Sequence, residues 1–251
     1  MAAPGLLEIK GIGPKTAQRL GAVGITEPLD LLYLLPRRYD DYRIPVAIAS
    51  LKPGERVLTQ GTVVRTRSYG PPWRRILEVV VEHQGATLRG IWFTRHRPKA
   101  DRFVKGKKIY LTGLVSTDKS GGLLIAHPVV WADGDTTERM ERILPVYPKI
   151  AKVKARTVEN AVQWAATHVG KLVNDPVPAE LVEKHSLSPL TEALALVHLP
   201  PADTPAGEIE NLASGNSPAH RRLIYDEFFF LQLALALRRQ SRATQKAPAI
   251  R

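Results

Sequence analysis

The sequence contains no cysteine and only two methionines. Disulfide frameworks, thiolate metal sites and cysteine nucleophiles are therefore excluded, and a reducing compartment, the cytoplasm by default, is permitted. No apolar run is long enough for a bilayer. The most apolar stretch, residues 228–237, falls well short of the ~20 residues a spanning helix needs and follows Asp226 and Glu227. The N-terminus, MAAPGLLEIKG, lacks the basic start and long apolar run of a secretory signal. Catalytic constellations are missing too. The seven histidines show no H-E-x-x-H or other ligand spacing, and no serine or aspartate motif points to a hydrolase, so neither a metal site nor catalytic residues are expected. Gly13-Pro14-Lys15-Thr16 resembles a phosphate loop only in part: Pro14 stands where G-x-x-x-x-G-K-[ST] requires adjacency, which rules out an ATP site there.

What is present is charge. Across 251 residues, 36 Lys and Arg face 24 Asp and Glu, a net charge of +12. Such a balance calls for a polyanionic partner, nucleic acid before membrane. The apolar share of 44% is ordinary for a folded chain with a core. The chain divides into three segments. Residues 1–45 read as a helical hairpin: Gly11-Ile12-Gly13 turns into a short helix opened by Pro14, and a second helix begins near Thr26 and stops before Pro36. Over 46–133 the apolar period becomes two, with strands at 56–66, 75–83, 87–94, 108–116 and 123–131 and a small helix near 98–104. Five such strands form a Greek-key barrel of OB type, with a β-sandwich as the alternative. From 134 onward an acidic connector (133–141) leads to helices at 154–170, 178–185, 188–198 and 218–242, with a loop rich in Pro, Gly and Asn over 200–216. The last helix is apolar around more than one stripe and calls for packing on more than one side. The fold class is α+β.

Three groups of residues carry the chemistry of nucleic-acid binding. Gly11 to Leu20 resembles a helix-hairpin-helix motif, in which backbone N–H groups approach a phosphate and Lys15 and Arg19 add charge, unless the glycines merely make a turn. The turn between the first two barrel strands carries Arg65, Arg67, Tyr69, Trp73, Arg74 and Arg75 with no acid, a mixture that holds phosphates and stacks on bases. The alternative there is a solvated hairpin tip with Trp73 folded back on the barrel. The third group follows Trp92 and Phe93 through Arg95, Arg97, Lys99 and Lys107; over 89–108, eight Lys and Arg accompany one acid, Asp101. Trp92 and Phe93 are adjacent and must face opposite sides of a strand, so one is core and the other exposed. Which is which stays open, as does burial of both under a covering helix.

The order of these features resembles the N-terminal region of the RecG family of bacterial ATP-dependent DNA helicases, which remodel stalled forks and Holliday junctions. The likeness runs through Gly11-Ile12-Gly13, Leu31-Leu32-Tyr33-Leu34-Leu35-Pro36-Arg37-Arg38-Tyr39-Asp40-Asp41, Trp92-Phe93, Pro145-Val146-Tyr147-Pro148, Ala193-Leu194-Ala195-Leu196-Val197-His198-Leu199-Pro200 and Ala219-His220-Arg221-Arg222-Leu223-Ile224-Tyr225-Asp226-Glu227. The resemblance implies an OB-type wedge domain that splits strands at a branch point, joined by helices to two RecA-like motor domains where ATP and Mg2+ bind. It implies that Phe93 is the stacking aromatic. A second aromatic of the family falls at Arg97, which stacks as a planar cation or binds phosphate. Asp226-Glu227-Phe228-Phe229 is only superficially like a helicase acidic box and reads as helix surface. The sequence given stops at Arg251 before any motor motif, so the expectation is a piece of a longer polypeptide or a stand-alone DNA-binding product. Either binds branched DNA in repair and recombination, in the bacterial cytoplasm at the nucleoid, without hydrolysing ATP itself. The rival reading is a non-enzymatic protein whose basic surface meets RNA or a ribosome.

Overall fold

The structure, a computed structural model, describes residues 5–71, 73–94, 103–132 and 141–244. The chain packs as two units, one of Met1–Tyr39 with Pro145–Arg251 and the other of Asp40–Leu144. Three successive sequence segments become two units because residues near the two ends share one core.

In the helical unit, a 3-10 turn (Leu6–Glu8) precedes α1 (Pro14–Gly21) and α2 (Pro28–Leu32). Proline opens both helices, where its missing N–H costs nothing. The second helix starts later than Thr26: the Asp30 carboxylate accepts from Thr26 N, Thr26 Oγ1 and Glu27 N, so Thr26 donates to the cap. Leu20, Leu31 and Leu32 are buried with Val158, Ala161, Val162 and Leu194 from the C-terminal part.

β1 (Arg38–Asp41) leads into the barrel unit and β8 (Ile143–Val146) leads out of it, and these two strands pair. Neither is evident in the sequence, being four residues long and without apolar alternation. Between them lie β2 (Arg56–Tyr69), β3 (Arg75–His83), β4 (Ala86–Thr94), β5 (Lys108–Thr117), β6 (Leu123–Ala126) and β7 (Val129–Ala132). The strand order is β2-β3-β4-β6-β5-β7, and β2 also pairs with β5, which closes the barrel. β4 and β6 run parallel; the other pairs are antiparallel. This is the five-stranded OB-type barrel, its fifth strand broken into β6 and β7 at His127-Pro128, and closure removes the open sandwich. Val63, Leu77, Val79, Val81, Leu88 and Leu111 fill its interior. The connector 133–140 and residues 98–102 of the expected small helix lie outside the described residues.

The helical unit resumes with α3 (Ala155–Thr167), α4 (Val169–Leu172), α5 (Ala179–Lys184), α6 (Leu190–His198), α7 (Ala206–Ser214) and α8 (Pro218–Thr244). α7 occupies the expected loop at 200–216. Pro205 caps its start and Gly215, at φ +76°, ends it, so the residues that signal a loop are this helix's punctuation. α8 is anchored through Arg222, which is fully buried. All five of its N–H donors are used: on Asp226 Oδ1 (2.8 Å) and Oδ2 (3.4 Å), Asp175 Oδ1 (2.6 Å) and Oδ2 (2.9 Å), and Ser188 O (2.9 Å). Asp226 is therefore not helix surface, whereas Glu227 and Phe228 are exposed. Beyond this anchor α8 shows Phe228, Leu231, Leu233, Leu235 and Leu237 to solvent.

Candidate nucleic-acid interface

The barrel register builds a single face. Directly opposed residues in an antiparallel pair point to the same side of a sheet. Tyr69 opposes Ile76 and Ile76 opposes Phe93, so these three form one row across β2, β3 and β4. Arg67, Glu78 and Ile91 form the next row, and Arg65, Val80 and Arg89 the one after. In the alternate row of Ser68, Leu77 and Trp92, the last two turn toward the barrel core.

This alternation separates Trp92 from Phe93. Trp92 packs on the core, 5.2 Å from the Phe103 ring, and donates its Nε1–H to Pro128 O at 3.2 Å. Gly90 makes room for the indole: a Cβ there would lie 3.0 Å from Trp92 Cη2. Phe93 is 45% exposed. The Arg74 guanidinium carbon stands 5.8 Å from its ring centroid and the His127 ring 5.5 Å. One row edge away, the Arg67 guanidinium carbon lies 5.4 Å from the Tyr69 centroid. Trp73, at the tip of the β2–β3 hairpin, is 76% exposed and does not fold back on the barrel. The tip depends on Gly70, at φ +97°, where a Cβ would sit 2.6 Å from Arg74 O. Arg67, Tyr69, Trp73, Arg74 and Phe93 therefore share one end of the barrel, as a mixture of exposed rings and cations.

Other predicted residues sit differently. Arg65 pairs with the buried Glu78 at 3.1 Å, and Arg89 reaches the same carboxylate at 3.5 Å and also Asp118. The hydrogen bond from Ser120 Oγ, then those from backbone N–H groups and the charge of Arg89, hold the Asp118 carboxyl below its ordinary range. The charges of Arg65 and Arg89 are thus balanced, which a count of cations along the sequence misses because Glu78 comes from the neighbouring strand and Asp118 from the turn after β5. Arg75 opposes Thr94 and alternates onto the side opposite Phe93. Lys107 lies alongside Val63, accepting its N–H at 2.9 Å, six residues and roughly 20 Å along β2 from Tyr69. Lys15 and Arg19 belong to the helical unit, not to the barrel. Lys15 is exposed in the first turn of α1, and Arg19 Nη1 donates to Lys152 O at 2.7 Å. Gly11, at φ +95°, and Gly13 bracket the buried Ile12; a 3-10 turn precedes them instead of a helix, so only the second half of a helix-hairpin-helix is present. Arg95, Arg97 and Lys99 lie outside the described residues. His127 was not singled out from sequence, since its place beside Phe93 comes from the parallel pairing of β4 with β6. Among the described residues, no group of three His, Asp or Glu could hold a metal, and no helix is long and apolar enough to cross a membrane.

The RecG wedge domain family matches residues 7–169. The ATP-dependent DNA helicase RecG of Synechocystis sp. is 32% identical over 244 residues, which cover 91% of this chain and 28% of that protein. The RecG of Escherichia coli (strain K12) is 29% identical, covering 93% of this chain and 33% of that one. The chain thus spans about a third of the length of these curated relatives. Among solved structures, RecG bound to a three-way DNA junction superimposes with a TM-score of 0.67 at 25% identity, over 97% of this chain and 32% of the other. With the whole barrel unit and α1, α2 and α3 inside the matched region, the chain belongs to the RecG wedge domain family.

Proposed function

We propose that this chain is the branched-DNA-binding wedge of a RecG-type ATP-dependent helicase, acting at replication forks and Holliday junctions in repair and recombination. The observation that carries this is the exposed Phe93 ring on the same barrel end as Arg67, Tyr69, Trp73 and Arg74. An outward ring on a rigid strand stacks on a base only where that base is unpaired, which a branch point supplies and a continuous duplex does not. The neighbouring guanidinium groups hold the phosphates on either side. The kinship to a RecG solved with a three-way DNA junction supports the same reading.

In this account the chain binds DNA and does not unwind it. ATP and Mg2+ bind in RecA-like motor domains, in the same polypeptide or in trans, and the exposed apolar side of α8 packs against them. The bacterial nucleoid, in the cytoplasm, is where the DNA substrate lies. Competition tests the proposal: a labelled three-way junction bound to the chain is challenged with unlabelled junction, length-matched duplex and structured RNA. The junction is expected to displace best by at least about tenfold, and equal displacement by RNA overturns the assignment in favour of an RNA-binding protein.

A further inference from the structure

We propose that His127 is a second base-contacting ring, paired with Phe93, so that an unpaired nucleobase at the branch point meets two rings contributed by two different strands. The inference rests on the branched-DNA reading above and adds to it a residue from the break between β6 and β7. His127 is exposed, and its ring centroid lies 5.5 Å from that of Phe93 at an interplanar angle of 57°. The segment carrying it is fastened to β4 on both sides of that contact. His127 N donates to Ile91 O at 2.7 Å, and Trp92 Nε1 donates to Pro128 O at 3.2 Å. Gly113 lets the segment cross close to β5, since a Cβ there would lie 2.3 Å from Ile125 Cγ2. The two rings are therefore held in register by the backbone and by the half-buried Trp92.

The backbone of His127 decides which substitutions suit the position. It adopts φ +50°, the left-handed region that glycine occupies at lower cost. No hydrogen bond or ion pair of the imidazole is seen among the described residues. With Arg74 on the same ring of Phe93, the three side chains form one surface of two π systems and a cation, the combination that takes an unpaired base beside a phosphate.

The test uses the whole chain, a three-way junction with 2-aminopurine at the branch point, and the variants His127→Gly, His127→Asn and Phe93→Ala. Glycine and asparagine both suit the left-handed backbone, so the fold is kept, which the thermal unfolding midpoint verifies. Both His127 variants are expected to bind the junction about fivefold weaker or more, with less quenching of 2-aminopurine, and to bind linear duplex within about twofold of the parent. If the His127 variants match the parent in affinity and quenching while Phe93→Ala loses both, His127 is not a base contact and the branched-DNA reading survives without it. Equal weakening on junction and duplex also overturns the proposal, since it marks a phosphate contact. If Phe93→Ala and the His127 variants all keep the junction preference, the branched-DNA face itself is misassigned.

Discussion

Trp92 and Phe93 are neighbours along the chain in opposite environments, and the consequences separate cleanly. Trp92 packs against Phe103 and the barrel core, so Trp92→Ala is expected to lose on the order of 3 kcal/mol of stability. Phe93→Ala removes a ring that is 45% exposed and should stay within about 1 kcal/mol of the parent. Urea unfolding of both variants checks the pair, and a Phe93→Ala loss as large as that of Trp92→Ala would reverse the assignment of faces. The alternation of strand side chains already put the two rings on opposite sides of the strand, with burial of both left open. It could not choose between them, since the choice depends on register with β3 and on Gly90, whose missing Cβ admits the indole. The same limit applies to Arg65 and Arg89, whose balancing carboxylates, Glu78 and Asp118, come from other strands or the turn beyond one.

Among the elements, α6 is tied to α2 through His198. Its Nε2–H donates to Leu32 O at 2.8 Å, which leaves Nδ1 to accept from the Tyr147 hydroxyl at 3.1 Å. The Tyr147 bond needs the neutral ring, whereas the Leu32 bond is made by either form and favours the charged one; burial outweighs it and pushes the pKa down from 6.5 to about 4. The unfolded chain therefore takes up the proton first as pH falls. Stability is complete above pH 6.5 and declines toward pH 4, by about 3 kcal/mol over that window from this group. Desolvation also lowers the His220 pKa and acts in the same direction. His198→Gln offers a donor toward Leu32 O without titrating, so its unfolding midpoint should vary less with pH across the window. An unchanged slope in that variant would show that His198 is not the group responsible. Such elements differ in how far sequence reveals them. The barrel strands announce themselves by alternation, whereas β1, β8 and α7 do not: the strands are too short to show a period, and the helix is bounded by the same proline and glycine that mark loops.

On the scale of the whole molecule, charge and exposure divide the labour. On the proposed function, the net charge of +12 would make phosphate contact the main source of affinity and the exposed rings on the barrel would make it selective. With about three to five phosphates neutralised, junction affinity should fall roughly 10²-fold between about 50 and 200 mM salt, and a flat response would rule out an electrostatic footprint. The exposed length of α8 belongs to this scale as well: Phe228, Leu231 and Leu235 are spaced as one helical stripe and face solvent in this chain. The central claim, that Phe93 reads the branch and not the duplex, is tested most directly by the equilibrium affinity of parent and Phe93→Ala for a three-way junction and for a length-matched linear duplex at one salt concentration. The account predicts a loss of about fivefold or more on the junction and little change on the duplex. Equal losses on the two DNAs, or none on either, would contradict it.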